Sequence, residues 1–318
     1  MLNMKKFSLL FVLVLVMVVS CKRNEPNPID TIFPGNPTTT NFSSEFFVAN
    51  SVPVQSFNIN SSSWQVITGS QGTRVTFSPG SFVTQTNQPV SGTVSIELKE
   101  IYSKKDMILS GISTVSNGMP LISGGEIKLV AKQNNLELKL AGNNLVYVEM
   151  PAGLNPSFQM NEFYADVVSG TNDWNSADTT TAIQVVPDSM SGGNFYLFTI
   201  DSMNWINCDY FSGNTGPSTD VRATVGNAYA DSNCMVFVSF NGQNSAAHCF
   251  SYLNHTYSPG SYYTLPIGMA ISFIAIAEIN GQYYSDIHSS TVVLNHNETM
   301  NLQPTTLAQI NAALALLP

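Results

Sequence analysis

Hydrophobic and polar residues alternate over short stretches through most of this chain, and each stretch is bounded by Gly, Asn or Pro. Alternation with regularly spaced turn residues is typical of antiparallel strands rather than helices. The predicted strands are Thr73–Phe77, Val90–Leu98, Gly125–Ala131, Leu136–Leu140, Leu145–Met150, Phe195–Ile200, Val221–Val225, Met235–Phe240, Ala270–Ile279 and Thr291–Leu294. Short regular strands without long amphipathic helices predict an all-β fold of two tandem antiparallel β-sandwich domains.

One short helix is predicted, at the end of the chain. Thr306 and Gln309 have the spacing of a capping box, in which each side chain bonds the backbone of the other residue. The apolar positions that follow lie on one face of a helix, and they are Leu307, Ile310, Leu314 and Leu317. Every other element after residue 41 is predicted to be a strand.

The first twenty-one residues have the features of a bacterial lipoprotein signal. Lys5 and Lys6 precede an uninterrupted apolar run, Leu9–Val19, which suits a signal sequence and is too short to span a bilayer. The run ends at Ser20-Cys21, which resembles the lipobox, where a cysteine after a small residue receives diacylglycerol. The alternative is an ordinary secretory signal with a chance cysteine. The position of Cys21 directly after the run favours lipidation.

Residues 22–41 are rich in proline and poor in apolar residues, which predicts an extended tether without secondary structure. An acylated Cys21 implies a lipid bilayer as partner, so the predicted location is the bacterial cell envelope, at the outer membrane. The charges after Cys21 do not indicate whether the protein faces the periplasm or the exterior. The next longest apolar stretch, Ile267–Ala277, has the length of a buried strand rather than of a membrane span.

Composition and charge narrow the classes of partner. Hydrophobic residues make up 43% of the chain and charged residues only 10%, which predicts a folded rather than a disordered protein. The formal net charge of −9 leaves no basic face, so nucleic acid is excluded as a partner. Arg222 is the single basic residue beyond residue 139, and this shift in charge indicates two domains.

A stretch of Gly, Pro and Ser at 212–218 is the predicted boundary between the two domains. The predicted organisation is a signal peptide at 1–20, a lipidated cysteine with its linker at 21–41, a first β-sandwich at 42–211, a second sandwich of Ig or transthyretin type at 212–304, and the helix at 305–318.

Several segments of the first predicted sandwich resemble one known family. They are Gly69–Thr73, Ser78–Phe82, Gln88–Val94, Glu97–Glu100, Met107–Gly111 and Gly124–Glu126. This pattern is similar to the ZU-five-type β-sandwich, known from ankyrins and netrin receptors and also found in envelope lipoproteins of Bacteroidota. Asn204–Phe211 (NWINCDYF) resembles the Gly-Trp-Ile-Asn-Cys-Asp-Arg-Phe signature of those lipoproteins, from which Asn204 and Tyr210 depart.

The resemblance covers residues 65–211, with weaker similarity beyond, and implies a fold and a lineage rather than a chemical activity. Domains of this type usually mediate protein contacts. Within the signature, Trp205, Ile206 and Phe211 are predicted to pack in the core, and Asn207 and Asp209 to bond turn backbone.

The sequence contains no catalytic motif of a common hydrolase or phosphate-binding class. The segment His248–Ser251 is similar to the His-Phe-Ser tripeptide of self-cleaving ZU-five relatives, but it has one extra residue and lies in the second domain. Glu97 and Glu100 lie on opposite faces of a strand, which predicts solvated charges rather than a catalytic pair. The protein is therefore predicted not to be an enzyme and to need no cofactor.

Two groups of residues have side chains that bind metals but lack the spacing of a common metal site. The first group is His248, Cys249 and His255. The second group is Asp166, Asp173 and Asp178. No metal site is predicted, and a shallow calcium site among the three aspartates stays open.

Tyrosine is enriched between residues 210 and 284. Exposed aromatic rings with polar tips suit binding to sugars or protein surfaces, whereas tyrosine also favours strands for reasons of packing alone. The candidate ligand-binding residues are Tyr252, Tyr257, Tyr262, Tyr263, Tyr283 and Tyr284. In the tether, Asp30-Thr31-Ile32 resembles an acceptor motif for periplasmic O-glycosylation, which makes Thr31 a candidate for modification.

Three cysteines remain besides Cys21. Asn241-Gly242 is a strong signal for a two-residue hairpin turn, which would place Cys234 opposite Cys249 within disulfide distance. This register predicts a Cys234–Cys249 disulfide and a free Cys208. A longer loop would shift the register and leave all three as buried thiols.

The leading functional hypothesis is a non-enzymatic envelope lipoprotein in which two sandwiches on a lipid tether present loops or sheet edges to an envelope protein or polymer. The second is glycan binding by the tyrosine-rich C-terminal domain. The third is an unrecognised hydrolase, which needs a pocket where a histidine meets a carboxylate and a nucleophile. The fold does not decide among them.

Overall fold

The computed structural model describes residues 42–142, 144–168, 171–177, 182–189, 192–213, 216–260 and 262–318. The predicted signal sequence and tether, including Cys21 and Thr31, lie outside the described residues. The described ranges fold mainly into antiparallel sheets with three short helices, which confirms the predicted all-β class. None of these three helices is long and apolar enough to cross a bilayer.

The elements are numbered in chain order. The helices are α1 (Phe42–Asn50), α2 (Lys104–Ser110) and α3 (Leu307–Leu314). The strands before residue 212 are β1 (Gln55–Asn60), β2 (Gln65–Thr68), β3 (Arg74–Phe77), β4 (Phe82–Val83), β5 (Thr93–Ile101), β6 (Val115–Ser116), β7 (Met119–Gln133), β8 (Leu136–Glu137), β9 (Lys139–Leu140), β10 (Val146–Gly153), β11 (Asn161–Val168), β12 (Thr171–Ser176), β13 (Gln184–Pro187), β14 (Asn194–Ile200) and β15 (Asn204–Phe211). The later strands are β16 (Ser218–Thr219), β17 (Val221–Thr224), β18 (Cys234–Phe240), β19 (Ala246–His248), β20 (Ser251–Leu253), β21 (Thr256–Ser258), β22 (Leu265–Pro266), β23 (Ala270–Ile279), β24 (Gln282–Thr291), β25 (His296–Thr299) and β26 (Gln303–Thr305).

The strands before residue 212 form two main sheets that share one core. The larger sheet has the order β1-β5-β7-β15-β11-β12, with β6 and β8 also paired to β7, and the smaller has the order β13-β14-β10-β3-β2. Along β5 every second side chain from Val94 to Leu98 is buried, which is the pattern of a strand with one face on a core. Ile96 from the larger sheet and Val148 from the smaller sheet belong to this first core.

The later strands form a second pair of sheets. One has the order β19-β18-β23-β24-β26, and the other has the order β20-β21-β17-β25, in which β17 and β25 run parallel. Side chains from both sheets, such as Val236 and Ala223, belong to the second core. The two halves of the chain are therefore each built as two sheets packed over an apolar layer.

Strands β18 and β23 are buried on both faces. All seven residues of β18 are buried, and so is the run from Ile271 to Ala277 in β23. Val236 and Phe273 face the second core, while Phe237 and Ile274 belong to a third apolar cluster. Burial on both faces explains the continuous apolar sequence of this region and confirms the predicted buried strand.

The third cluster joins the two halves of the molecule. In every strand pair of the described residues, both strands come either before residue 212 or after residue 217. The cluster nevertheless takes side chains from both halves and from all three helices, among them Phe47, Ile101, Met107, Leu121, Phe237, Ile274 and Ile310. A backbone hydrogen bond from Thr114 N to Ala246 O, 2.8 Å long, also connects the halves. The two sandwiches therefore share a buried interface within one compact unit.

Helices α1 and α2 correct the expectation that the chain before residue 305 contains strands only. In α1, Phe42 and Phe46 are one helical turn apart, and their rings lie 5.6 Å apart in the third cluster. Helix α2 begins at a Ser103 N-cap, whose side chain accepts from Asp106 N, and ends at Gly111 with φ 67°. Both helices are too short for a clear periodic signal in the sequence.

Two further local predictions have clear outcomes. Helix α3 has the predicted capping box between Thr306 and Gln309, and Ile310 and Leu314 are buried as expected. The predicted strand Thr291–Leu294 is wrong. After Thr291 the backbone of Val292 bonds Gly268 and Met269, and the segment then turns into β25.

Candidate functional site

Two segments that carry the resemblance pair with each other at one end of the first sandwich. Asn207 on β15 lies opposite Glu126 on β7, and Asp209 lies opposite Ser123. Three residues of β15, from Asn207 to Asp209, thus lie opposite four residues of β7, which makes a β-bulge at this point. The extra backbone is accommodated by Gly125, whose φ of +135° is open to glycine and strained for other residues.

The space around the two glycines of the bulge, Gly124 and Gly125, is also too small for a side chain. A Cβ atom on Gly124 would lie 2.8 Å from the Tyr196 ring and 3.0 Å from the terminal carbon of Met160. A Cβ atom on Gly125 would collide with the Tyr102 ring. The bulge therefore brings the backbone of β7 directly against aromatic side chains, which no larger residue would allow.

A surface cleft of about 280 Å³ opens beside Gly124, between the ends of the two sheets. Its apolar and aromatic lining includes Ile122, Pro151, Met160, Tyr196 and Tyr210. None of the residues that line it is charged. The cleft thus suits apolar or neutral polar groups better than ions.

The loop that forms one wall of this cleft also exposes large apolar side chains. In this cleft loop, residues 154–160, Leu154 is 78% exposed and Phe158 is 83% exposed. The backbone N–H of Ser157 donates to the Tyr196 hydroxyl over 2.9 Å, which ties the loop to the smaller sheet. Exposed apolar groups beside a concave surface are typical of contact sites. The sequence offered no motif for this site.

The other face of the bulge holds two buried carboxyl groups. Glu126 and Asp209 are both 0% exposed. Asn207 Nδ2 donates to Asp209 Oδ2 over 2.6 Å, and Ser123 and the Gly124 backbone N–H also bond Asp209. Burial raises the pKa of Asp209 to about 7, although these hydrogen bonds act in the opposite direction. Burial and the neighbouring Asp209 raise the pKa of Glu126 well above its usual range.

The predictions for the signature segment are confirmed only in part. Trp205 and Ile206 are buried in the third and first cores, respectively. Phe211 is 36% exposed and lies at the rim, where its ring meets Phe163 edge-on. Asp209 bonds the backbone of the bulge and the Asn207 side chain bonds Asp209, so neither residue bonds a turn as predicted.

The prediction of solvated charges on β5 is wrong for Glu100. The two glutamates do lie on opposite faces, and Glu97 forms a half-exposed salt bridge of 2.8 Å with Lys132. Glu100, however, is 0% exposed. Its carboxylate accepts from Thr73 N at 2.9 Å, from Gln71 N at 3.0 Å and from Gln55 Nε2 at 2.7 Å. Glu100 thus shapes the turn between β2 and β3.

The candidate tyrosines do not form an exposed aromatic surface. Tyr257 and Tyr263 are buried, at 1% and 2% exposure, and the other four are half-buried. Tyr257 donates to the Cys234 carbonyl over 2.9 Å, and the Tyr283 ring lies 6.2 Å from the Phe46 ring. Packing is therefore the main role of these residues, and the expectation of exposed rings at Tyr252, Tyr257, Tyr262, Tyr263, Tyr283 and Tyr284 is corrected.

The predicted Cys234–Cys249 disulfide is absent, and both residues are buried free thiols, as is Cys208. The turn has positive φ at Gly242 but not at Asn241, so it is not the two-residue type I′ turn. Phe240 pairs instead with Ser245 across a four-residue loop, and Phe237 lies opposite His248. This shift of two positions places Val236, not Cys234, beside Cys249. Burial raises the pKa of the Cys234 and Cys249 thiols to about 12.

The candidate metal ligands are not brought together in the described part of the chain. His248 stacks on Phe237 in the third cluster, whereas Cys249 faces the second core beside Tyr263. His255 bonds the Tyr229 carbonyl over 3.0 Å. Asp166 pairs with Asp173 in the β11–β12 ladder, and Asp178 lies outside the described residues. No group of three or more His, Cys, Asp or Glu suited to a metal occurs among the described residues.

Two histidines form an ionic cluster that connects the sheets of the second sandwich. His288 Nδ1 lies 2.9 Å from Asp286 Oδ1, and His288 Nε2 lies 3.5 Å from Glu298 Oε1. His296 Nδ1 accepts from Val293 N, so His296 Nε2–H donates to Glu298 over 3.2 Å. Burial lowers the pKa of His288, but Asp286 and Glu298 outweigh it, and the net pKa is raised.

We expect the His288 cluster to stabilise the fold at mildly acidic pH. A histidine with a raised pKa in the folded state adds stability below its unfolded pKa of about 6.5, and this is lost as pH rises through the folded value. His288→Gln should therefore lower the free energy of unfolding by about 0.2–1 kcal/mol at pH 5.5 and by less at pH 8.5. Urea denaturation at both pH values measures this. The control is Thr291→Ala, which changes an exposed residue on the same strand and should show no such pH dependence. If His288→Gln lost the same stability at both pH values, the prediction would be contradicted.

Comparison of the chain with known protein families and with curated proteins finds no match.

Proposed function

We propose that this protein is a lipid-anchored, non-enzymatic envelope protein that contacts a partner protein through the cleft loop. The observation that carries the proposal is the exposure of Leu154 and Phe158 beside an uncharged cleft at the end of the first sandwich. The anchor is the acylated Cys21 expected from the signal sequence. The tether at 22–41 would give the folded body the reach to meet a partner.

The chemistry of the cleft indicates what the partner contributes. Its lining combines apolar and aromatic side chains with neutral polar groups such as Asn155 and Ser157, and the polar groups supply most of its exposed surface. Apolar side chains of a partner would bury Leu154 and Phe158 without leaving a charge unpaired. A strongly charged polymer would find no opposite charge in this cleft.

The arrangement of the reactive side chains supports a non-enzymatic role. His248 stacks on Phe237, and burial lowers its pKa to about 4, which suits a packed neutral ring. His255, His288 and His296 are held by hydrogen bonds to a carbonyl or to carboxylates. Burial raises the pKa values of the thiols, so they stay protonated and are poor nucleophiles.

Site-specific photo-crosslinking in the native cells tests the proposed contact. A photoreactive amino acid at position 158 should give one discrete adduct with a partner protein, and Leu154→Ser should reduce that adduct severalfold. The matched control is the same probe at Leu253, which is 71% exposed on the second half and should give no such adduct. All three positions are exposed, so the fold should tolerate the changes.

Two outcomes would reject the contact. One is the absence of any adduct at position 158 in cells that contain the full-length lipidated protein. The other is the same adduct pattern at positions 158 and 253, because this would reflect random collision rather than a defined surface.

A further inference from the structure

The buried carboxyl pair behind the cleft has oxygen atoms without hydrogen-bond partners. Both carboxyl oxygens of Glu126 and the Oδ1 atom of Asp209 are buried and make no hydrogen bond. Most buried polar atoms in folded proteins have a partner, and an exception calls for an ion, a water molecule or a functional role. Three free oxygens on two neighbouring residues are therefore an unusual feature of this fold.

The two carboxyl groups are near enough for Asp209 to raise the pKa of Glu126. Asn207 faces Glu126 across the β7–β15 ladder, and Asp209 follows two positions later on the same face of β15. The Asp209 carboxylate is fixed because Asn207, Ser123 and the Gly124 N–H all bond it. Its Oδ1 atom stays free for another ligand.

No lysine or arginine among the described residues neutralises the pair. In the described part of the chain, neither Glu126 nor Asp209 takes part in a salt bridge with a lysine or an arginine. Two unpaired carboxylates removed from water would cost several kcal/mol each. The site therefore needs either positive charge from outside the chain or protons.

We propose that Glu126 and Asp209 bind a calcium ion inside the bulge of β7. The free ligands are carboxylate oxygens, the type that Ca²⁺ prefers, and the ion would displace the protons that burial favours on this pair in its absence. Ca²⁺ accepts irregular geometry, and backbone carbonyls or water would complete its six to eight ligands. Mg²⁺ suits the site less well, because it demands near-ideal octahedral geometry, whereas Ca²⁺ tolerates irregularly placed ligands. Asn207 and Ser123 act as positioning residues through Asp209.

Thermal unfolding of the purified mature protein, with EDTA or with excess CaCl2, tests the proposal. Calcium should raise the Tm by about 5 °C or more, and an equal concentration of MgCl2 should have a smaller effect. Glu126→Gln and Asp209→Asn should each abolish the calcium response. The control variant Asp220→Asn, which removes an exposed carboxylate, should keep it.

A measurement on the unmodified protein covers the case in which these variants fail to fold. Elemental analysis after dialysis against calcium and gel filtration should find one calcium per chain. Absence of bound calcium would overturn the proposal. If Glu126→Gln were also as stable as wild type, the carboxyl pair would be protonated or bridged by water to the unpartnered Trp205 indole N–H. Calcium retained equally by Glu126→Gln, or an equal response to Mg²⁺, would also overturn it.

Discussion

Replacing Glu100 with alanine is expected to lower the free energy of unfolding by about 3–5 kcal/mol. The carboxylate is buried and accepts from two backbone N–H groups, Gln71 and Thr73, and from the Gln55 side chain. Hydrogen bonds to a charged group contribute about 1.5–3 kcal/mol each, and the two N–H groups would lose their acceptor. Urea denaturation followed by circular dichroism measures the loss.

Glu97→Ala is the matched control for this prediction. Glu97 lies on the same strand with the opposite orientation, and its partly exposed salt bridge to Lys132 should contribute about 0.2–1 kcal/mol. If the two variants lost equal stability, Glu100 would not organise the turn between β2 and β3.

Cys21→Ala is expected to move the protein from the membrane to the soluble fraction or to leave an unprocessed precursor. The acyl chains are the predicted anchor, since each buried methylene contributes about 0.8 kcal/mol to membrane binding. None of the described helices could take over this role by spanning the bilayer. Detergent phase separation of whole cells, followed by immunoblotting, measures the distribution.

Thr31→Ala serves as the control for the anchor because it changes the same predicted tether without touching the cysteine. This variant should stay in the detergent phase, and mass spectrometry on it also reports any sugar lost from Thr31. A Cys21→Ala protein that remained fully in the detergent phase at the size of the processed protein would contradict lipidation at this residue, whereas a precursor of larger size would keep its apolar signal and would not.

Elements with strong local signals could be predicted from the sequence. The Thr306–Gln309 capping box defines α3, and the apolar run after Ile267 defines β23, because each signal depends on residues close in the chain. Helix α1 could not be recognised in this way. Its three phenylalanines are buried in the third cluster, where Phe47 meets Phe237 of the second half, nearly two hundred residues away.

Errors in the cysteine and tyrosine predictions have a common physical origin. The Asn241-Gly242 signal identified a hairpin, but a loop two residues longer shifted its register and separated Cys234 from Cys249. Tyrosine suits both exposed contact surfaces and packing within strands, so the sequence did not decide between these roles. The third cluster and the second core instead cover Tyr283 and Tyr284.

The candidate sites depend on contacts that the sequence does not reveal. Glu126 and Asp209 are far apart in the chain, and only the register of β7 with β15 brings them together. Leu154 and Phe158 lie in an irregular loop without a motif, and their exposure follows from the path of that loop beside the cleft. Function in this fold therefore has to be argued from the folded surface.

Hydrogen exchange on the protein in isolated native membranes, compared with the purified protein, tests the central claim most directly. A partner bound at the cleft should slow amide exchange in residues 154–160 severalfold in the membranes and leave the tyrosine-rich segment 251–264 unchanged. Equal exchange rates at 154–160 in both samples, or protection confined to 251–264, would contradict a contact through the cleft loop.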